Sequence, residues 1–348
     1  MGASDDKELS MTICRAVVPA LALAVSAFGA IAPAAAQDFY KGKTLTLVVG
    51  FTPGGGFDLN ARLLARYLGR YIPGNPDVLV QNMPGAATIK AVLYLDTAAP
   101  RDGTVLVTFN FGQIGDSRMV PEKVKVDFRK FNWIGSISQD LTVCYTWHAL
   151  GTKTLAELQR HAPIHMGLTG VGNSSYINQK ILKEIFKVPV QQVAGYPGSA
   201  EERFAIERRE LDGDCGAWSS LPEEWVQGRK IDPITRSGPV VPPDLPPNVP
   251  YTVDIAPSDR ERDIIRLLTA SGQVGRPFIA SSAVPADRIA ILRAAFGKAV
   301  KDPKLIAEAT KLRLPISPKS GLEALSTVED IYATPDDIVQ AARKIAGE

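Results

Sequence analysis

Residues 44–51, TLTLVVGF, are almost continuously apolar, the pattern of a strand buried on both faces. After a short polar break, Leu59, Leu63, Leu64, Tyr67 and Leu68 recur on one face of a predicted helix. DVLVQN (77–82) predicts a second strand, and MPGAA (83–87) a turn into another helix. Roughly a hundred residues later the series returns. IHMGLTG (164–170) is a predicted strand and VGNSS (171–175) a small-residue loop; the next helix places Ile177, Ile181, Leu182, Ile185 and Phe186 at the offsets of the first. Pro189, a strand VQQVAG (190–195) and a turn YPGSA (196–200) complete the echo. Two copies of strand, small loop, helix, strand and Pro-Gly turn predict two α/β lobes of like construction.

The rest of the chain fits that frame. LTVCYTW (141–147), LDGDCGAWSS (211–220) and KIDPITRS (230–237) read as further strands. SGPVVPPDLPPNVPY (237–251) is too rich in proline for core strand or helix and predicts a surface excursion. Beyond GRPFIASSAVPADR (275–288) the pattern is helical, with Ile291, Leu292, Ala295, Phe296 and Ala299 on one face. Lobe crossings are expected near residues 139 and 275, giving one lobe of 38–139 plus 275–348 and a second of 140–274.

The opening segment differs. Ala16 to Ala36 carries no charge, follows Arg15 and ends APAAAQD, which reads as a secretory signal (1–36) cut between Ala36 and Gln37. The acidic GASDDKEL before Met11 does not suit a signal and places the start of synthesis at Met11. Removing 1–36 takes away Lys7 and Arg15 with Asp5, Asp6 and Glu8, so the net charge moves from +2 to +3. Acids and bases are interspersed without a basic tract, which argues against nucleic acid as a partner. Export also frames the cysteines: Cys144 and Cys215 remain in an oxidising compartment, either bridged or as two buried thiols.

The chemistry centres on FTPGGGFDLNAR (51–62). A phosphate loop would need G-x-x-x-x-G-K-[ST], and a dinucleotide fingerprint would need glycine where Leu59 stands. Bare amides at a helix N-terminus suit any anion, and a carboxylate fits this nest. Gly170, Gly172, Asn173, Ser174 and Ser175 supply the matching device in the second lobe, and both loops fall at the carboxyl ends of strands, where α/β sheets bind ligands. Asp58 has two readings, a helix-start carboxylate paired with Arg62 or a ligand acceptor. Tyr196, Ser199 and Asp212 are candidates at turns or strand ends of lobe two, and Trp218 with Ser219 and Ser220 is a candidate aromatic wall or core.

GFTPGGGFDLNAR, VQNMPGAA, GVGNSSY, AGYPGSA and RRELDGD, in this order and spacing, resemble the Bug-type (TctC-like) extracytoplasmic solute receptors of tripartite tricarboxylate transporters. LPPNVPYTVDI is similar to that family's Leu-Pro-x-Val-Pro segment. The resemblance implies a type II periplasmic binding protein, a Venus flytrap of two doubly wound α/β lobes joined by crossing strands. It implies a periplasmic, monomeric receptor that holds a small organic carboxylate between loops. Gly54, Gly55, Gly56, Phe57 and Asp58 would lie on one side, and Gly172, Asn173, Ser174, Tyr196 and Asp212 on the other. Tyr176 stands where many relatives have His, and Arg209 where they have Gly, which leaves the ligand's identity open. The crossing strand of such lobes runs beside the third strand, which would make Cys144 and Cys215 neighbours in a possible disulfide.

The implied partners are membrane subunits of a tripartite transporter or, alternatively, a sensor protein. A secreted hydrolase is the further alternative. It lacks support, since G-x-S-x-G is absent and the three histidines show no triad pattern. His161 and His165 have Pro163 between them, so no metal site is expected, and no cofactor is called for.

Overall fold

The computed structural model describes residues 39–139, 141–168, 173–196 and 199–347. The expected signal segment, Gly170 and Gly172 lie outside the described residues.

Two mixed sheets carry the molecule. The first has the order β11-β4-β10-β3-β1-β2 and the second β7-β6-β8-β5-β9. In the first sheet, β1 (Thr44–Val49) pairs in parallel with β2 (Asp77–Asn82) and β3 (Val105–Thr108). Every side chain of β3 is buried, as a central strand between two helical layers requires. Between β3 and β4 (Asn132–Ser136) the late strand β10 (Pro277–Ala280) runs antiparallel to both. Sequence patterning did not predict β10, because four apolar residues opening on a proline carry no readable period. Its position explains Pro277, which begins the strand and gives up no ladder donor there. A two-residue strand, β11 (Lys319–Ser320), closes that edge.

In the second sheet β6 (Ile164–Leu168) and β7 (Val190–Ala194) are parallel, while β5 (Thr142–Trp147) is antiparallel to β8 (Gly213–Ala217) and β9 (Ile231–Arg236). Cys144 and Cys215 are register partners across β5 and β8, and their sulfurs are bonded, 71 residues apart in sequence. β6 meets β8 through one pair only, Met166 and Gly213, so the sheet splits toward the carboxyl end of β6.

The chain crosses between sheets twice, and the two crossings pair. Ile137 N–H donates to Arg276 O at 3.2 Å and Arg276 N–H to Ser138 O at 2.9 Å. Gly275 makes this approach possible: its φ is +69°, and a Cβ there would stand 1.9 Å from Ser138 O. Strand directions then place the carboxyl ends of β1, β3, β6 and β8 all toward the crossing.

Helix α8 (Asp259–Val274) precedes the second crossing. It packs on α3 (Gly112–Met119), α11 (Gly321–Ala333) and α12 (Asp336–Ala346) of the first lobe, and on α5 (Ser174–Lys180) of the second. On this flank one apolar cluster runs unbroken from Val107 and Phe109 through Ile264 and Ile265 to Met166 and Ile181. The opposite flank carries separate cores. Leu63, Leu64 and Phe296 belong to one, where α1 (Gly56–Leu68) meets α9 (Ala286–Ala299). Tyr145, Trp218 and Trp225 belong to the other, in the second lobe. The proline-rich stretch after β9 forms neither helix nor ladder strand, only an isolated bridge between Arg236 and Tyr251.

Candidate functional site

At the carboxyl end of β1 the chain turns through Gly54 (φ +90°) and enters α1 at Gly56, with Gly55 in extended conformation (φ −80°, ψ 169°) as the capping residue. No side chain caps this helix start. Leu59 N–H donates back to Gly55 O, so the amides of Gly56, Phe57 and Asp58 point out of the helix without a protein acceptor among the described residues. The positive end of the helix dipole lies at the same place.

The two glycines are there for different reasons. Gly54 needs its left-handed backbone. Gly55 does not, and a Cβ built on it would meet no atom of the described residues within 4 Å. What its missing side chain provides is room in front of the amides.

Asp58 is 1 % exposed, and both its oxygens are engaged. Oδ2 accepts from Gly54 N–H at 2.8 Å and Arg62 Nε at 2.9 Å, and Oδ1 from Asn82 Nδ2 at 2.9 Å. Burial works against its charge, but these donors outweigh it and hold the carboxyl below its usual range. Asp58 therefore braces the loop from beneath and ties it to the end of β2.

The rim around the cup includes residues that patterning missed. Phe57 stacks on Phe51 at 4.4 Å between ring centroids and tilts toward Phe111, in the loop after β3, at 6.4 Å. In the loop after β2, Ala86, Ala87 and Thr88 have φ of +46°, +47° and +81°, three consecutive left-handed residues other than glycine. Each costs on the order of 1 kcal/mol, and such strain gathers at functional loops. Arg276, in the second crossing, lies against the first turn of α1: a Cβ on Gly56 would be 3.2 Å from its Nη2. Its guanidinium is 5.6 Å from the Phe57 ring centroid, and Nη1 donates to Ser138 Oγ at 2.8 Å. A single basic residue in VGRPF, next to the predicted crossing, was the available signal.

In the second lobe Asn173 caps α5, its Oδ1 accepting from Tyr176 N–H at 2.8 Å. Ser174 opens the helix, exposed. Beneath it lies a buried carboxyl pair. Asp214 accepts from Ser175 Oγ, Cys215 N–H and Gln179 Nε2. Glu202, 3 % exposed on α6 (Ser199–Glu207), faces it, and among the described residues no hydrogen bond reaches its Oε1. Burial, reinforced by Asp214, pushes the Glu202 carboxyl up to about 8. Burial also raises Asp214, to about 6, against the pull of its donors.

Tyr196 and Ser199 stand at the same end of the sheet, after β7 and at the start of α6. Tyr176 turns its hydroxyl toward Gly347 at the chain's end, so it packs lobe on lobe. Asp212 lies at the opposite end of the sheet, where its carboxylate takes His165 N–H at 2.8 Å and fastens β8 to β6, away from the cleft. The RRELDGD segment places Asp212 before its strand, whereas cleft loops follow theirs. His161 and His165 do not converge: one ring nitrogen lies 3.0 Å from Ala162 O, the other 3.4 Å from Asp212.

Two α/β lobes, a paired double crossing and loops converging from both carboxyl ends define the fold of the periplasmic solute-binding proteins. The chain superposes on a TctC solute-binding protein from Polaromonas with a TM-score of 0.69 at 15% identity, over 87% of this chain and 99% of that one. MatC from Rhodopseudomonas palustris, solved with bound malate, aligns at TM-score 0.61 and 20% identity, over 85% and 99% of the two chains. A second R. palustris protein, solved with adipate, also aligns at 0.61, with 18% identity over 88% and 98%. The fold is thus that of the TctC and Bug-type binding proteins, and these neighbours are solute-binding proteins rather than enzymes.

In sequence, the chain is 27% identical to a UPF0065 protein of Bordetella pertussis over 189 residues, 52% of this chain. The match spans 56% of that relative's length. No protein-family model matches the chain.

Proposed function

We propose that this protein is a periplasmic receptor that captures a small organic carboxylate between its lobes and delivers it to the membrane subunits of a tripartite transporter. One observation carries the reading. The amides of Gly56, Phe57 and Asp58 converge at a helix start, and Gly55 leaves open space before them that neither backbone conformation nor internal packing demands. A carboxylate oxygen fits such a space. The Arg276 guanidinium beside Gly56 adds positive charge at the same spot, and Asn173, Ser174, Tyr196 and Ser199 supply polar groups from the other lobe.

The energies are sufficient. Micromolar affinity requires about 8 kcal/mol, and charge-assisted hydrogen bonds contribute roughly 1.5–3 kcal/mol each, so four or five supply a total of that order. Malate and adipate in similarly folded proteins support this ligand class.

Calorimetry on the mature chain, from Gln37, tests the proposal against a panel of mono- and dicarboxylic acids including malate and adipate. One carboxylate should bind with 1:1 stoichiometry. No heat with any acid, together with clear binding of a sugar or nucleotide, would overturn it. Delivery to a transporter is tested separately, by whether loaded protein drives uptake through such membrane subunits and unloaded protein does not.

A further inference from the structure

Between the lobes, reached by Gln273 in the last turn of α8, lies a concave space of about 810 Å³ lined by neither the glycine loop nor Asn173. Its size falls within the range of about 300–1,000 Å³ typical of small-molecule sites. The first crossing supplies Gln139 and Leu141, and the end of β8 supplies Trp218. Ile306 and Arg313, on and just after α10 (Pro303–Lys311), form the facing wall. The proline-rich segment Gly238–Asp244 lies over it as a cover.

That cover is fastened at both ends. Arg236 donates to Gly238 O, and Trp218 Nε1 donates to Asp244 Oδ1 at 3.0 Å. Between these anchors Val240 and Val241 remain 50% and 39% exposed, and across from them Ile306 is 43% exposed. Large apolar side chains facing water singly are ordinary. Several lining one concave space from opposite walls mark a place for an apolar body.

The charges specify the rest. Asp244 accepts from Trp218, and Arg313 is the only cation among the described lining residues. Arg313 meets Glu223 of the other lobe at 3.7 Å in a solvent-exposed pair. Such pairs contribute little, so an incoming anion can compete for the guanidinium.

We infer that this space is a second binding site, taking an apolar organic anion whose hydrocarbon body lies between the Val240–Val241 cover and Ile306 and whose charge meets Arg313. It shares no lining residue with the glycine cup, and it does not depend on what the cup binds.

The test uses the mature chain and 1-anilinonaphthalene-8-sulfonate, an apolar anion that fluoresces when shielded from water. The expected result is saturable 1:1 binding, excitable through tryptophan because Trp218 lines the site. Val241→Asp and Ile306→Asp alter exposed side chains on opposite walls. Each should weaken probe binding at least tenfold while the thermal midpoint holds, and Arg313→Gln should weaken it several-fold. Adipate should not displace the probe. Non-saturable binding, undiminished binding in either aspartate variant, or stoichiometric displacement by adipate would each overturn the assignment.

Discussion

Replacing Gly55 by serine separates the two meanings a glycine-rich loop can have. The backbone at Gly55 is extended and a Cβ meets none of the described residues, so serine is accommodated without strain. Serine is also a preferred helix cap, and α1 has no side-chain cap of its own. A cap hydrogen bond and the reduced freedom of the unfolded chain together stabilise by about 0.5–1 kcal/mol. For a chain of this size that raises the thermal midpoint by roughly 1–3 °C. Binding should move the other way. The hydroxyl takes one of the outward amides and stands where the ligand's oxygen would sit, removing one charge-assisted bond of about 1.5–3 kcal/mol, a factor of roughly 10–150 in Kd. Differential scanning fluorimetry and calorimetry with the best carboxylate measure the two effects on one preparation. If affinity is unchanged while stability rises, the amides are not the anion site and the triplet is turn chemistry alone.

Three other perturbations have signed outcomes. Arg276→Gln should weaken carboxylate binding by about 5–30-fold, more at low ionic strength, as expected for a charge within several ångströms of the anion; equal affinity at low and high salt in both proteins would refute this. Reducing the Cys144–Cys215 bond, or replacing both cysteines by alanine, frees a 71-residue separation and should cost about 4 kcal/mol in urea unfolding; an unchanged midpoint would contradict it. Glu202 is charged in the unfolded chain above about 4.5 but stays protonated in the fold up to about 8, so the folded state binds more protons in that window. Its contribution is fully present below 4.5 and is lost as pH rises through 8. Stability should decline across that interval, and Glu202→Gln should flatten the decline. A flat wild-type profile would show that Glu202 is not buried in its neutral form.

Much of this was legible where a local rule applies. The two β–loop–α series could be aligned by their apolar offsets, because a helix face and a doubly buried strand each impose a period. β10 did not show itself: it is four residues long, and its partners β3 and β4 are distant in sequence, so nothing local encodes its place between them. The site divides the same way. Gly54–Asp58 could be found because a loop and its helix are contiguous. Arg276 and Phe111 arrive from separate elements, and only folding brings them near the cup, just as only folding joins Asp214 to Glu202 in the second lobe. Asp212 and Asp214 are two residues apart, a spacing that leaves open which carboxylate faces inward.

The seat of α8 makes the two flanks of the molecule mechanically unequal. On its side Ile264 and Ile265 sit in apolar packing that continues from one lobe to the other; on the opposite side, the cross-lobe ion pair of Arg313 with Glu223 is already wet. The cheaper swing parts the wet side first. A solute held as proposed would then have one cheaper way in and out, on the side away from Ile264 and Ile265.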